Sequence, residues 1–225
     1  MSEQLSERVL QQGRKLLSFF RNTVHLVYWK FLLGLVLANA LIYFAYDQSK
    51  VFWYILTGSM LFLISYSILN EDVDDRITLG QYLIYGLLSG VALYVIFWIG
   101  NFLINGLNIT VLADQVTKIY KKFAPEVIWH YIALVLVIIP GEEFFWRGFV
   151  QKRLLANSGI WPSIIISTLF YSIVSLYSGY IVLAITALIC GFVWGFLYAW
   201  KRSLPLVIIS HITFNLLLLV FFPLV

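Results

Sequence analysis

Charged residues are scarce in this chain. Only 12% of its 225 residues are Asp, Glu, Lys or Arg, whereas 61% are hydrophobic and the mean hydropathy is +0.89. A soluble domain has about a quarter of its residues charged, and a chain of this length has no interior large enough to bury so much apolar surface. The composition therefore excludes an ordinary soluble domain and predicts an integral membrane protein.

Cysteine is almost absent as well. Cys190 is the single cysteine, so an internal disulfide framework is excluded, and its apolar surroundings favour a small buried hydrophobe. The net charge of +4 does not indicate nucleic-acid binding, because most basic residues stand at the ends of apolar runs, where they orient membrane helices. The polar, basic N-terminus has no apolar core of the signal-peptide type, so we expect no cleaved leader.

Long apolar runs are what the sequence does contain. About 20 apolar residues cross a bilayer as a helix, and we predict an all-α, polytopic membrane helix bundle with about seven spans. The predicted spans are 28–46, 51–69, 79–104, 127–150, 160–178, 180–200 and 204–224. Within them, Gly86 and Gly90, and Gly191 and Gly195, have the spacing at which small residues let helices approach closely.

The segments outside the spans complete the predicted organisation. Residues 1–27 mix basic residues with Leu and Phe, which predicts an amphipathic surface helix ahead of a transmembrane domain at 28–225; a disordered basic tail is the alternative. The polar connection 105–126 is a candidate interfacial helix. Ten of the 15 Lys and Arg residues fall on the side of the N-terminus and four on the other, which favours an N-terminus inside the cell.

Two adjacent acidic residues, Glu142 and Glu143, interrupt the fourth span in the stretch PGEEFFWRGF. An ionised side chain at the bilayer centre costs at least about 2.5–3.5 kcal/mol, so both residues should face the bundle interior and have partners. Arg147 lies four residues after Glu143 on the same face and is the predicted partner. A salt bridge that only fixes packing is the alternative, but it gives no reason for Glu142. Pro140 and Gly141 predict an irregular backbone that lines a cavity.

A second polar pair, His211 and Asn215, lies one helical turn apart on one face of the last span. A hydrogen-bonded packing histidine is one interpretation, and a shared polar cavity at the depth of Glu142 is the other. A carboxylate or imidazole can take a proton from water, and an amide can donate to a developing oxyanion. Zinc also accepts imidazole and carboxylate ligands. The set is therefore compatible with hydrolysis, with or without a metal.

These residues resemble two motifs of the CPBP family of intramembrane proteases, which includes the CAAX-prenyl proteases and bacteriocin-processing and immunity proteins. Glu142, Glu143 and Arg147 match E-E-x-x-x-R, and His211 and Asn215 match H-x-x-x-N. The resemblance implies an intramembrane site in which Glu142 activates water while His211 and Asn215 stabilise the oxyanion. It also implies a membrane protein or peptide as substrate and a surrounding lipid bilayer, which we expect to be a bacterial cytoplasmic membrane.

The resemblance covers roughly residues 125–220 and has one departure. A further motif, F-x-x-x-H, would begin at Phe170, so its histidine position holds Val174. Without that histidine a zinc site lacks the usual three strong protein ligands, and the family's metallo- and glutamate-protease descriptions both stay open. The alternatives are a catalytically inactive relative that acts as a membrane regulator or immunity protein, and a transporter or proton relay. A relay would need further titratable residues along a path through the first three spans, and we find no acidic or basic residue deep within them.

Overall fold

A computed structural model describes residues 28–225 of the protein. The N-terminal segment 1–27, for which an amphipathic surface helix is predicted, lies outside these residues. The helices in the described part are α1 (Tyr28–Asp47), α2 (Phe52–Asn70), α3 (Leu79–Gly106), α4 (Thr110–Phe123), α5 (Ile128–Ser158), α6 (Ile160–Ser175), α7 (Ile181–Lys201) and α8 (Leu204–Phe221). Between residues 28 and 225 the only extended pairing is a single bridge from Asp75 to Ser203. The all-α prediction is confirmed.

Seven of these helices are long and apolar enough to cross a membrane, and α4 is the exception. The prediction of a multi-pass membrane protein is thereby confirmed, and six spans agree with their predicted bounds to within a few residues. Helix α5 is longer than predicted and continues past Val150 to Ser158. The polar residues after Val150 do not break a helix, and the helix ends only where Gly159 adopts a φ of 83°.

The chain divides into two compact units at Ala38. The described part of the first unit, residues 28–38, is the beginning of α1. The second unit, 39–225, contains the remainder of α1 and all other helices. The site residues predicted from the sequence all belong to this second unit.

Glycine sets how closely the helices of the second unit approach one another. A Cβ atom on Gly90 of α3 would lie 2.6 Å from the backbone oxygen of Ser210 in α8, and one on Gly86 would lie 2.8 Å from Ile209. On α7, a Cβ atom on Gly191 would lie 3.1 Å from the Tyr171 ring of α6. The small residues predicted to bring helices together therefore lie at two helix contacts, α3 with α8 and α6 with α7.

Helix α5 is not a uniform α-helix. It is π-helical over Leu134–Ile138 and Phe144–Gln151, and α-helical over Ile139–Glu143 between them. The helix is therefore irregular around Pro140 and Gly141 but continuous, because the wider turn before Pro140 accommodates a residue that has no N–H and crowds the preceding turn. Gly141 allows α2 to pack closely against α5, because a Cβ atom added at this position would lie 2.7 Å from Cβ of Met60.

At one end of the helices, the α2–α3 connection is tied to α5, to α7 and to the α7–α8 turn. The α2–α3 connection carries Asp74, which accepts hydrogen bonds from the Tyr198 hydroxyl (2.8 Å) and from Nζ of Lys152 (3.1 Å). The backbone N–H of Leu204, at the α7–α8 turn, donates to the backbone oxygen of Asp74 (2.9 Å). We call this arrangement the Asp74 clasp. It holds the α2–α3 connection against the C-terminal part of α5 and against the α7–α8 turn.

Candidate active site

A cavity of about 460 Å³ lies between the helices of the second unit, and most of its lining is apolar. Of the five predicted site residues, Glu142, His211 and Asn215 line this cavity. Glu143 and Arg147 are not among its lining residues and are buried, with 0% and 2% of their side chains exposed. The two adjacent glutamates thus occupy different environments, one on the cavity and one behind it.

The predicted interfacial helix α4 forms part of the cavity wall. Its residues Leu112, Val116, Ile119 and Phe123 recur at helical spacing and line the cavity. On the opposite face, Asp114, Lys118 and Lys121 are exposed, and Lys118 is paired with Asp114 at 2.6 Å. The amphipathic pattern of this segment is therefore explained by an apolar cavity on one side.

The carboxylate of Glu143 has two side-chain partners behind the cavity, Arg147 and His211. Its Oε1 accepts a hydrogen bond from Nη1 of Arg147 at 3.2 Å, so the predicted pair of Glu143 with Arg147 is present. The same oxygen lies 2.7 Å from Nδ1 of His211 in α8. Opposite an ionised carboxylate, which only accepts hydrogen bonds, Nδ1 of His211 is assigned as the nitrogen that carries the proton and donates. Glu143 therefore fixes the orientation of His211 and leaves the other ring nitrogen, Nε2, for other partners.

Arg147 makes further contacts that hold it in place. Its Nη2 donates to the backbone oxygen of Gly191 at 3.3 Å. The guanidinium carbon lies 4.8 Å from the centre of the Tyr171 ring and 5.5 Å from that of Trp194. Both distances are in the range of cation–π attraction. The charge buried at this depth is thus compensated by a carboxylate, a carbonyl and two aromatic faces.

Glu142 has a partner that the sequence did not suggest. The hydroxyl of Tyr171, on α6, donates a hydrogen bond to Oε2 of Glu142 at 2.7 Å, and both residues line the cavity. The histidine position predicted three residues further along α6, Val174, is buried with 3% exposure and is not among the lining residues. From α6 the cavity therefore receives a phenol and the hydroxyl-bearing Ser175, but no imidazole.

His211 is held on its ring face by a second aromatic residue that was not predicted. The indole of Trp194 stacks on the imidazole with 3.7 Å between centroids and 24° between planes. Nε1 of Trp194 donates to Oγ of Ser210 at 3.1 Å, and the Ser89 hydroxyl of α3 donates to the same Oγ at 2.9 Å. The imidazole plane is therefore fixed by contacts among three helices, α3, α7 and α8. The only feature of the sequence that could have indicated Trp194 is that it is an aromatic residue about one helical turn from Gly191.

The donor set does not fit a zinc site. Within residues 28–225, no three His, Cys, Asp or Glu side chains are grouped so that they could hold a metal ion. Nδ1 of His211 is engaged by Glu143, and Val174 supplies no ligand. A structural or catalytic zinc requires at least three protein ligands. The side chains around this cavity therefore fall short of the ligand set that a resident zinc ion needs.

Comparison with known proteins agrees with the motifs. Residues 124–217 match the sequence model of the family described as Type II CAAX prenyl endopeptidase Rce1-like. No curated protein and no solved structure matches the chain. The matched segment contains Glu142, Glu143, Arg147, His211 and Asn215, together with Tyr171 and Trp194. The segment that carries the site thus matches an Rce1-like, CAAX-type endopeptidase family, which confirms the resemblance to the CPBP family.

Proposed function

We propose that this protein is an intramembrane endopeptidase that hydrolyses a peptide bond in a membrane-associated protein or peptide, with Glu142 as the base that activates water. The observation that carries the proposal is the split between the two glutamates. Glu142 lines an apolar cavity beside His211 and Asn215, whereas Glu143 is buried behind it and orients His211. A pure packing pair would account for Glu143 and Arg147 and would give no reason for a carboxylate on the cavity.

Each side chain has a chemical role in this proposal. Glu142 takes a proton from a water molecule, and the water oxygen attacks the carbonyl carbon of the scissile bond. His211 and Asn215 donate hydrogen bonds to the oxyanion that forms. The C–N bond then breaks as Glu142 returns the proton to the leaving amine nitrogen, so the carboxylate is regenerated and the products are an acid and an amine.

The contacts of the oxyanion residues support this assignment. Because Nδ1 of His211 is bound to Glu143, Nε2 is the ring nitrogen that remains for the cavity. With a proton on both nitrogens the ring donates from Nε2 as well, and the carboxylate of Glu143 compensates the charge. No hydrogen bond of the Asn215 side chain is found within residues 28–225, so its amide is available to a substrate oxygen.

The apolar part of the cavity indicates what kind of substrate it takes. Side chains of α3, α4 and α8, including Ile96, Phe97, Val116 and Leu218, line it. Such a surface binds hydrocarbon through removal of apolar area from water or lipid headgroups. It fits the apolar portion of a hydrophobic peptide or of a prenylated one, as the CAAX-type description of the family suggests.

The test compares wild type with Glu142→Gln and Glu142→Ala, using the purified full chain in detergent and a library of hydrophobic peptides with and without a prenyl group. General-base catalysis contributes about 100-fold or more, so either substitution should lower kcat by at least about that factor. Glu126→Gln, at an exposed carboxylate outside the cavity, is the matched control. Equal cleavage by wild type and both Glu142 variants would remove the protease assignment from this site.

Val174 favours a second candidate, a catalytically inactive relative that binds a membrane peptide in the same cavity. The companion variant Val174→His separates the two candidates. If wild type is inert towards every peptide and cleavage begins only with Val174→His, the natural protein is the binding protein. Glu142-dependent cleavage by wild type excludes this second candidate.

A further inference from the structure

The hydrogen bond between Tyr171 and Glu142 engages only one of the two carboxylate oxygens of Glu142. The Tyr171 hydroxyl donates to Oε2 at 2.7 Å. No hydrogen bond to Oε1 of Glu142 is found in the described part of the chain. One oxygen of the proposed base is therefore held by the protein, and the other remains for water in the cavity.

The ring of Tyr171 is confined on several sides, so its hydroxyl has a fixed position. The Arg147 guanidinium lies 4.8 Å from the ring centre, and the Trp146 ring lies 5.7 Å away in a tilted arrangement. Gly191 gives the ring its room, because a Cβ atom there would lie 3.1 Å from Cδ1 of Tyr171. Only 9% of Tyr171 is exposed. A phenol held in this way loses little further freedom when it orients a flexible carboxylate.

We propose that Tyr171 is the positioning residue of the proposed base: its hydroxyl holds Oε2 of Glu142 so that Oε1 points at the attacking water. This inference rests on the proposed proteolytic function and deepens it. A general base must be held within hydrogen-bond reach of the proton that it takes. Unrestrained, a glutamate next to the carboxylate of Glu143 would turn away, because like charges repel.

The proton balance of the step leaves Tyr171 neutral throughout. Oε1 of Glu142 takes the proton from water as the oxygen–carbon bond forms, and it later gives that proton to the leaving nitrogen as the C–N bond breaks. The phenol keeps its own proton and donates the same hydrogen bond to Oε2 before and after. Tyr171 therefore acts through Glu142 and does not itself react with the substrate.

The kinetic test uses Tyr171→Phe, which keeps the ring and removes only the hydroxyl. A hydrogen bond to a charged group corresponds to about a 10- to 100-fold effect. We expect kcat to fall by that factor on a peptide that wild type cleaves through Glu142, with KM changed by less than about twofold. The matched control is Tyr177→Phe, two residues after the end of the same helix, which loses a hydroxyl bonded to Asn39 and lies outside the cavity lining. A kcat for Tyr171→Phe equal to that of the control overturns the proposal.

A spectroscopic test is independent of activity. The infrared carboxylate band of Glu142 is identified by difference against Glu142→Gln, and loss of a donated hydrogen bond moves such a band. We expect the band to move in Tyr171→Phe and to stay in place in Tyr177→Phe, whereas an unmoved band in Tyr171→Phe overturns the positioning role.

If cleavage never depends on Glu142, the proposed function fails, and the positioning role in catalysis fails with it even where the band moves. If cleavage depends on Glu142 but not on Tyr171, only the present inference fails.

Discussion

Oε1 of Glu143 accepts hydrogen bonds from both Arg147 and His211, while Oε2 is buried without a partner in residues 28–225. A carboxylate in such surroundings is stable only because its partners compensate the loss of water. Since one oxygen has two donors, Arg147 and His211 are linked through Glu143. A change at the arginine should therefore affect both the stability of the fold and the orientation of the imidazole.

Arg147→Met should strongly destabilise the protein. The substitution leaves Glu143 buried with one partner, and removal of one member of a buried pair costs about 3–5 kcal/mol. The double variant Glu143→Gln/Arg147→Met removes both charges and should recover part of that loss, which a double-mutant cycle measures from reversible unfolding in detergent. Lys121→Met, on the exposed face of α4, is the control. A single variant as stable as wild type would contradict the buried-pair description.

The sequence was sufficient for some of these side chains and insufficient for others. The pair of Glu143 with Arg147 follows from spacing within one helix, which places residues four apart on one face. Tyr171 is 29 residues from Glu142, and Trp194 is 17 residues from His211. Contacts between helices depend on how each helix is rotated about its axis and how deeply it lies in the membrane. Neither quantity follows from hydropathy when the membrane-spanning helices are apolar on every face.

The helices themselves were largely predictable because bilayer thickness fixes their length. The π-helical segments of α5 were not, since Pro140 and Gly141 indicate an irregular backbone but nothing in Leu134–Ile138 or Phe144–Gln151 indicates that it is π-helical. Their effect is large, because a wider turn rotates all following residues about the helix axis. Glu142 and Glu143 lie between the two segments, so their directions are set by a feature that periodicity does not report.

The contact between α3 and α8 makes a sharp prediction about glycine. In Gly90→Ala the new Cβ would lie 2.6 Å from the backbone oxygen of Ser210, so the helices must separate, at a cost of about 1–3 kcal/mol. Gly80→Ala, on the same helix with nothing within 4 Å of its Cβ, is the matched control. Thermal unfolding in detergent should show a lower midpoint for Gly90→Ala only. Equal midpoints would mean that α3 and α8 are not packed as described.

Because Ser210 also accepts from Trp194 and Ser89, separation of α3 from α8 should reach the site. Helix α3 lies outside the family-matched segment 124–217, yet it supplies both Ser89 and cavity-lining residues such as Phe97. The family-matched segment and the preceding helices are thus joined in one cavity. Peptide cleavage by Gly90→Ala should therefore fall together with its stability, whereas Gly80→Ala should retain both.

The Asp74 clasp connects segments that are far apart in the chain and lies near the C-terminal end of α5. Burial by itself raises the pKa of Asp74, but the hydrogen bonds from Tyr198 and Lys152 and the charge of Arg202 at 3.8 Å outweigh it and hold the pKa below its usual value. Only 13% of the Asp74 side chain is exposed. The ionised carboxylate is therefore favoured in the folded protein, and the clasp should contribute to stability in a pH-dependent way.

Asp74→Asn should lower stability at neutral pH by about 1–3 kcal/mol, because it weakens charge-assisted hydrogen bonds from Lys152 and Tyr198. A group whose pKa is depressed by folding stabilises fully above its unfolded value of about 3.9, and this contribution is lost as the pH falls through the folded value. The difference in unfolding midpoint between wild type and Asp74→Asn should thus be largest near about pH 7 and shrink below about pH 4. Asp72→Asn, an exposed carboxylate on the same connection, should show no such difference at any pH. Tryptophan fluorescence during thermal unfolding in lipid nanodiscs measures all three proteins, and a wild-type advantage that persists unchanged into acid would show that the charge of Asp74 does not hold the clasp.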